Sequence, residues 1–156
     1  MRDIEHYLSG KAFAGGGHRF GEVFDPNTGR VQARVRLGSA AEIAAAVEAA
    51  KAVQPEWAAT NPQRRARVMF EFKRLLEANM DELALMLASE HGKVIADAKG
   101  DIQRGLEVIE FACGAPHLLK GDYTGNAGSG IDVYSMRVPL GVVAGITPFN
   151  FPAMIP

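Results

Sequence analysis

The most uniform hydrophobic segment of this chain is Leu140–Ile146, which contains no polar residue. Such a run, rich in Val and bounded by Pro and Gly, is typical of a strand covered on both faces of a parallel sheet. Pro148 and Pro152 end the run, because proline joins neither a sheet ladder nor a helix interior, although it suits the first position of a helix. The pattern predicts a buried strand, a loop and a helix start at Pro152, where α/β proteins bind ligands and helix N–H groups can hold an anion.

Alternating apolar and polar positions predict three further strands. Arg19–Phe24 and Arg30–Leu37 flank Asp25–Gly29, whose Asp, Pro, Asn and Gly residues are typical of a hairpin turn. Ile131–Val138 alternates in the same way, whereas the glycine-rich Lys120–Gly130 before it is predicted to be a loop.

Helical periodicity begins after the hairpin. Ser39 and Glu42 have the spacing of a capping box, and we expect the helix that follows to end at Pro55. Apolar residues at intervals of three and four predict that this helix buries one face. The residues expected on that face are Ile43, Val47, Ala50 and Val53.

Three more helices have clear boundary signals. Asn61 is a typical N-cap, with Pro62 at the first helical position. Asn79 starts the third helix, and Gly92 should end it in a left-handed conformation. A fourth helix is predicted over roughly Val94–Ala115.

The fourth helix has a continuous apolar stripe and one face of mixed polarity. Cys113 lies on the stripe, so we predict a buried core thiol rather than a nucleophile. Gly105 lies on it too and indicates close approach of another backbone. The other face carries Asp97, Asp101, Arg104, Val108 and Phe111.

Arg104 has two interpretations. It could form a surface pair with Asp101, three residues earlier, which would stabilise the helix by a few tenths of a kcal/mol. Alternatively, its guanidinium could bind the carboxylate of a ligand through two parallel hydrogen bonds. The residues alone favour the surface pair.

Composition and charge exclude several classes of function. A net charge of −1 over 156 residues gives no footprint for nucleic acid or an anionic membrane, and no apolar run has the ~18 residues of a membrane span. The single cysteine fits a reducing, cytoplasmic location, and none of the four histidines has a metal-ligand partner at useful spacing. Gly15-Gly16-Gly17 lacks the strand and helix that would mark a phosphate loop.

Two motifs resemble the aldehyde dehydrogenase superfamily, and within it the CoA-acylating methylmalonate-semialdehyde dehydrogenase branch. They are Pro139-Leu-Gly-Val-Val-Ala-Gly-Ile-Thr-Pro-Phe-Asn-Phe-Pro152 and Gly100-Asp-Ile-Gln-Arg-Gly-Leu-Glu-Val-Ile-Glu-Phe-Ala-Cys-Gly-Ala-Pro116. The resemblance implies an α/β fold with an edge β-hairpin, a four-helix layer, an oligomerisation strand and the first strand of a Rossmann-like parallel sheet. The implied parts are a helical part of the cofactor-binding domain (1–120), an oligomerisation arm (121–139), and the first strand and loop of the NAD-binding sheet (140–156).

The resemblance also implies a reaction. Members of the branch oxidise malonate or methylmalonate semialdehyde with NAD, release CO2 and transfer the acyl group to CoA. Asn150 would donate to the oxyanion and Arg104 would hold the substrate carboxylate, which reverses the preference for a surface pair. Ile146, Thr147, Pro148 and Phe149 would line the NAD site, with Phe149 where most members carry Trp.

Members of the family are several-fold longer than this chain. Their nucleophilic cysteine and general-base glutamate would lie beyond Pro156, so we expect an N-terminal fragment that is inactive alone. The implied partners are a small-molecule semialdehyde and further copies of the chain, in a dimer or tetramer. The alternatives are a non-acylating aldehyde dehydrogenase, which CoA dependence would distinguish, and a non-catalytic helical interaction module.

Overall fold

The structure is a computed structural model that describes residues 2–156. Its elements in chain order are β1 (Arg2–Ile4), β2 (His6–Leu8), β3 (Lys11–Phe13), β4 (Phe20–Phe24), β5 (Val31–Arg36), α1 (Ala40–Ala59), α2 (Pro62–Ala78), α3 (Met80–His91), α4 (Ile95–Cys113), α5 (Ala115–Leu118), β6 (Tyr123–Gly128) and β7 (Ile131–Tyr134).

The predicted β4–β5 hairpin is confirmed, and β1 adds to it in parallel to give the strand order β1-β5-β4. Because β5 is central, its Ala33 is 1% exposed. The Asp25 carboxylate holds the turn by accepting hydrogen bonds from the Asn27 N–H and the Thr28 hydroxyl at 2.9 and 3.0 Å. The sequence did not indicate β1 or the small β2–β3 hairpin.

The core lies between α2, α3 and α4. Its buried residues are Ala84, Leu87, Ala98, Ile102 and Leu106, with Leu76, Met80, Leu83, Ala88 and Ala153 packed around them. The small residues on the facing sides of α3 and α4 let the two helices approach closely. The predicted stripe of α4 is therefore confirmed as the core face over most of its length, and Cys113 is buried at 8% exposure.

Helix α1 differs from the prediction in two ways. Its capping box is confirmed, but Pro55 lies inside the helix rather than at its end. Helix α1 also buries none of its residues, and Ile43 and Val53 are 61% and 62% exposed. The periodicity identified an apolar face correctly, but within residues 2–156 that face only borders open depressions, shared with residues 141–144 and with residues 6–8, and stays largely exposed.

The boundaries of the next helices follow their signals. The Asn61 side chain caps α2 by accepting from the Gln63 N–H at 2.8 Å, and Gly92 ends α3 with φ of 84°. Asn79 makes no side-chain cap; its amide instead donates to the Leu75 carbonyl at 2.7 Å.

Acidic residues pair with part of the basic outer face of α2, at Lys73 and Arg74. Arg74 pairs with Glu71, and Lys73 pairs with Glu77 and Glu110. This supports a solvated helix face rather than a nucleic-acid surface. In the described part of the chain, no helix combines the length and the hydrophobicity that crossing a membrane requires.

The segment after α5 forms an exposed hairpin. The prediction of a loop over Lys120–Gly130 is wrong for β6, which pairs antiparallel with β7, and β7 is shorter than the predicted Ile131–Val138. Every residue of β7 is exposed.

The predicted strand Leu140–Ile146 is not paired in this structure. Leu140 and Ile146 are 93% and 101% exposed, and residues 140–146 join no sheet in the described chain. A strand needs the N–H and C=O groups of a neighbour, and the described residues offer no parallel partner here. The helix predicted at Pro152 is also absent; residues 152–154 form a turn, closed by an Ile155 N–H bond to the Phe151 carbonyl at 3.2 Å.

Candidate functional site

A cleft of about 530 Å³ lies where α3 ends, α4 begins and the C-terminal turn returns to α4. Its lining residues are His91, Gly92, Lys93, Ala96, Asp97, Gly100, Asp101, Arg104 and Phe151. Two cations, Lys93 and Arg104, thus share one concave surface with an aromatic ring. The lining also includes two carboxylates, Asp97 and Asp101, and Asp101 pairs with Lys93, so Arg104 is the cation of the cleft that a ligand carboxylate could meet.

Asp101 is the buried charge of this site. Its side chain is 1% exposed and accepts from the Lys93 ammonium at 3.0 Å through Oδ2. Its other oxygen, Oδ1, accepts from the Met154 backbone N–H at 3.0 Å. Both carboxylate oxygens are therefore occupied by partners from outside α4, which is what allows a charge to be buried at this position.

The turn that faces α4 has an unusual backbone. Phe151 has φ of 59°, a left-handed conformation that costs a residue with a side chain about 1–2 kcal/mol. The Lys93 ammonium lies 5.4 Å from the centre of the Phe151 ring, within the range of a cation–π contact. The same lysine thus contacts both the buried carboxylate and the strained residue.

Gly105 faces the same turn. A Cβ built at Gly105 would lie 3.4 Å from the Met154 Cα and 3.5 Å from the Ala153 carbonyl oxygen. The prediction that Gly105 marks the close approach of another backbone is therefore confirmed. The backbone that approaches belongs to the turn after Asn150.

Arg104 lies on the edge of the cleft and is exposed. The predicted surface pair with Asp101 is wrong, because Asp101 faces inward and is bound by Lys93 and the Met154 N–H. Arg104 also borders a second, shallower depression that includes Glu107, Val108 and Phe111. The guanidinium is thus placed where a ligand in the cleft could meet it.

The remaining predicted site residues lie on the exposed segment before the turn. Asn150 immediately precedes Phe151 and is itself exposed. Ile146 and Phe149 are 101% and 87% exposed, and Thr147 and Pro148 are exposed as well. Only Arg104 among the predicted site residues lines the cleft; Phe149 instead borders an apolar groove of about 700 Å³ formed with Leu83, Met86 and Leu87.

Three contributors to the site were not singled out from the sequence: Lys93, Phe151 and the inward orientation of Asp101. Lys93 precedes Asp101 by eight residues and lies outside the helix, so no helical spacing links the two. The Phe151–Pro152 pair gave no signal either, since proline favours an extended backbone at the residue before it, whereas Phe151 has φ of 59°.

The glycine-rich stretch Gly15-Gly16-Gly17 binds an internal carboxylate. Glu42 accepts from the Ser39 N–H at 2.6 Å and from the Gly16 N–H at 2.7 Å. These bonds, with those to Ser39 foremost, lower the pKa of Glu42 to about 2. The Gly16 N–H is therefore already satisfied by Glu42, which argues against a phosphate loop. Within residues 2–156, no three His, Cys, Asp or Glu side chains gather as a metal site would require.

The sequence profile of the Aldehyde dehydrogenase family matches residues 14–156. This chain belongs to the aldehyde dehydrogenase family. A malonate-semialdehyde dehydrogenase of Pseudomonas aeruginosa is 45% identical to it over 156 residues, which cover 100% of this chain and 31% of that protein. The mitochondrial acylating methylmalonate-semialdehyde dehydrogenase of Arabidopsis thaliana is 50% identical over 137 residues, covering 88% of this chain and 23% of that protein.

Solved structures of the family agree with the fold. A protein from Sinorhizobium meliloti, described as a methylmalonate-semialdehyde dehydrogenase and complexed with NAD, superposes with a TM-score of 0.96 at 61% identity over 99% of this chain and 32% of that one. The methylmalonate-semialdehyde dehydrogenase of Oceanimonas doudoroffii gives 0.95 at 47% identity, covering 99% of this chain and 32% of that one. The mixed α/β fold is thus that of the N-terminal part of an aldehyde dehydrogenase, and the chain spans about a third of the length of these relatives.

Proposed function

We propose that this chain forms the N-terminal part of an NAD-dependent dehydrogenase that oxidises malonate or methylmalonate semialdehyde. The family membership supports oxidation of an aldehyde, and the relatives named above act on semialdehydes by their descriptions. The observation that carries the substrate assignment is the position of Arg104 on the cleft, with its expected partner Asp101 turned inward.

In this proposal Arg104 binds the carboxylate of the semialdehyde. Its planar guanidinium can donate two parallel hydrogen bonds to a carboxylate, which fixes the direction of the substrate as well as its position. Lys93 lines the same cleft, but its charge is paired with the Asp101 carboxylate, so the proposal rests on Arg104.

Asn150 would act at the other end of the substrate. When a thiolate attacks an aldehyde, the carbonyl oxygen becomes an oxyanion, and a positioned amide donor stabilises it by roughly 3–4 kcal/mol. Asn150 is exposed and lies one residue before Phe151, which lines the cleft with Arg104. Asn150 thus directly precedes a residue of the cleft that Arg104 also lines.

The exposed segment before Asn150 fits a cofactor site. This assignment rests on the resemblance of the motif that contains Ile146 and Phe149 to the family; the two side chains are 101% and 87% exposed. We assign Ile146, Thr147, Pro148 and Phe149 to contacts with NAD, which when bound would accept the hydride from the substrate.

The chain does not itself supply a nucleophile. Its single cysteine, Cys113, is 8% exposed in the core and not placed to attack a substrate. We propose that the nucleophilic cysteine and the general-base glutamate come from the remainder of the enzyme, and that CoA supplies the thiol that takes the acyl group while the substrate carboxylate leaves as CO2. We also propose a homo-oligomer of two or four subunits, since the β6–β7 hairpin exposes Ile131, Val133 and Tyr134.

A chimera can test the proposal. This chain replaces the 31% of the Pseudomonas aeruginosa enzyme that it matches, and kcat and KM are measured for malonate semialdehyde and for propanal, which lacks the carboxylate. Arg104→Leu should raise KM for malonate semialdehyde steeply and affect propanal much less, because the lost contact is remote from the reacting carbon. Arg104→Lys should recover only part of the loss, since a point charge does not reproduce the bidentate fork.

Asn150→Ala in the same chimera should lower kcat for both aldehydes by ~10²-fold or more, because it removes a bond made mainly in the transition state. Equal losses for the two aldehydes on Arg104→Leu would exclude a carboxylate-binding role. NADH formation that does not depend on CoA would indicate a non-acylating enzyme. NADH formation by the 156-residue chain alone would refute the division of the catalytic residues.

A further inference from the structure

The buried Asp101 suggests a role beyond packing, and it depends on the proposed function because the turn it binds follows Asn150. We propose that Asp101, together with Lys93, is a positioning residue that fixes the turn 151–154 against α4 and thereby sets the place of the Asn150 amide. Asp101 does not touch the substrate in this proposal. It acts through the backbone of the turn.

The first argument is the convergence of contacts on one carboxylate. Asp101 Oδ1 holds the Met154 N–H at 3.0 Å, and Oδ2 holds the Lys93 ammonium at 3.0 Å. A hydrogen bond to a charged acceptor is about twice as strong as one between neutral groups, and more so where water is excluded. The Asp101 side chain is 1% exposed, so its carboxylate joins α4, Lys93 and Met154 at a position that solvent hardly reaches.

The second argument is that holding the Met154 backbone in place also restricts the position of Asn150. The Ile155 N–H bonds to the Phe151 carbonyl at 3.2 Å, so the turn between these residues is closed. Within it, the ring of Pro152 fixes φ near −65°. Phe151 has φ of 59°, and its ring lies beneath Lys93. Few rotations remain free between Met154 and Asn150, so moving one end moves the other.

The third argument concerns the strain at Phe151. A left-handed residue that bears a large side chain persists only where its surroundings hold it. Here the holding contacts are the Lys93 ammonium on the ring, the Asp101 bond to Met154 and the close fit of Gly105 to Ala153 and Met154. Such strain is costly for a loop that serves only as a connection, and it fits one that presents a side chain in a fixed direction.

A purely structural role for Asp101 predicts different behaviour from a positioning role, and amide exchange separates them. In the 156-residue chain, Asp101→Ala should make exchange at the Met154 amide at least ~10-fold faster, because the bond to a charged acceptor is lost. Exchange at the core amide of Leu87 should rise by a clearly smaller factor, because it reports only the loss of overall stability that follows from breaking a buried ion pair. A uniform rise at both amides would show that Asp101 only stabilises the fold and would overturn the proposal.

The matched control is Asp81→Ala. Asp81 on α3 also pairs with a lysine, Lys99 on α4, but its side chain is 83% exposed, whereas that of Asp101 is 1% exposed. Losing an exposed pair should change neither amide, since such pairs contribute little. Asp101→Asn keeps an acceptor oxygen for Met154 but loses the ion pair, so its Met154 exchange should be intermediate. If Asp101→Ala does not fold, Asp101→Asn against Asp81→Asn decides the test, and equal Met154 exchange in those two would overturn the proposal.

Activity of the chimera gives the second readout. Asp101→Ala should lower kcat for malonate semialdehyde and propanal by the same factor, about 10- to 100-fold, because a misplaced Asn150 affects every aldehyde. Asp101→Asn should recover part of kcat, and Asp81→Ala should match the wild type. A loss confined to KM of malonate semialdehyde would show that Asp101 acts on Arg104 instead and would overturn the proposal. An inactive wild-type chimera would count against the proposed function. Amide exchange at Met154 would still test the role of Asp101, because that measurement does not depend on activity.

Discussion

The two glycines of α4 provide a sharp test of how the C-terminal turn is seated. Gly100 and Gly105 lie on the same helix, but a Cβ built at Gly100 meets no atom within 4 Å, whereas one at Gly105 meets the Met154 Cα at 3.4 Å. Each of the two glycines is replaced first by alanine and then by valine. Gly100 serves as the matched control because it has the helix environment without the neighbour.

The expected changes in the free energy of unfolding follow from helix propensity and from the space around each added side chain. Glycine to alanine in a helix interior stabilises by about 1 kcal/mol, and 3.4 Å is an ordinary contact distance, so both alanine variants should be more stable than the wild type. Valine retains only about 0.4 kcal/mol of that gain. At position 105 its methyl groups enter space that the Ala153 and Met154 backbone occupies, and overpacking costs about 1–3 kcal/mol. Gly105→Val should therefore be about 0.6–2.6 kcal/mol less stable than the wild type, and Gly100→Val slightly more stable.

Urea unfolding of the four variants, followed by circular dichroism, measures these free energies. Amide exchange at Met154 then reports whether the turn has moved. Gly105→Val should speed that exchange, and Gly105→Ala should not. The reasoning would be refuted if the two valine variants had the same stability, because the turn would then not be packed on Gly105.

Three further predictions concern the rest of the molecule. Glu42→Gln should lower the melting temperature at neutral pH, because the folded protein lowers the pKa of Glu42 from 4.5 to about 2. The difference in melting temperature from the wild type should persist above pH 4.5 and shrink as the pH falls toward 2, and a difference that does not change with pH would contradict this prediction. Leu106→Ala should lose about 2–5 kcal/mol in urea unfolding, because Leu106 is 2% exposed, whereas Val108→Ala at 57% exposure should change stability by less than about 0.5 kcal/mol. The exposed segment 140–146 and the β6–β7 hairpin should make the chain self-associate, and sedimentation showing a concentration-independent monomer would argue against that.

The sequence determined the features that depend on nearest neighbours. Ser39 and Glu42 cap α1, Asn61 caps α2 and Gly92 ends α3 as predicted, since each signal acts within one helical turn. The apolar stripe of α4 likewise identified its core face, including Cys113. Two motifs also sufficed to indicate the family, which the profile match over residues 14–156 confirms.

Sequence periodicity overestimated burial wherever the covering partner was distant or absent. The apolar face of α1 and the run Leu140–Ile146 are real patterns, but within residues 2–156 both stay largely exposed. A hydrophobic pattern shows that a surface should be covered, but what covers it is decided by the rest of the assembly. The roles predicted for Arg104, Asn150 and the 146–149 segment stay predictions for the same reason.

Only the tertiary structure decided the environment of Asp101. On a helical projection it belongs to the polar face with Asp97 and Arg104, and a surface pair with Arg104 was the natural expectation. Two partners outside the helix, the Lys93 ammonium and the Met154 N–H, make burial possible, and Met154 is 53 residues away in sequence. Burial of a charge depends on whether its hydrogen-bonding partners converge in space, and local sequence does not carry that information.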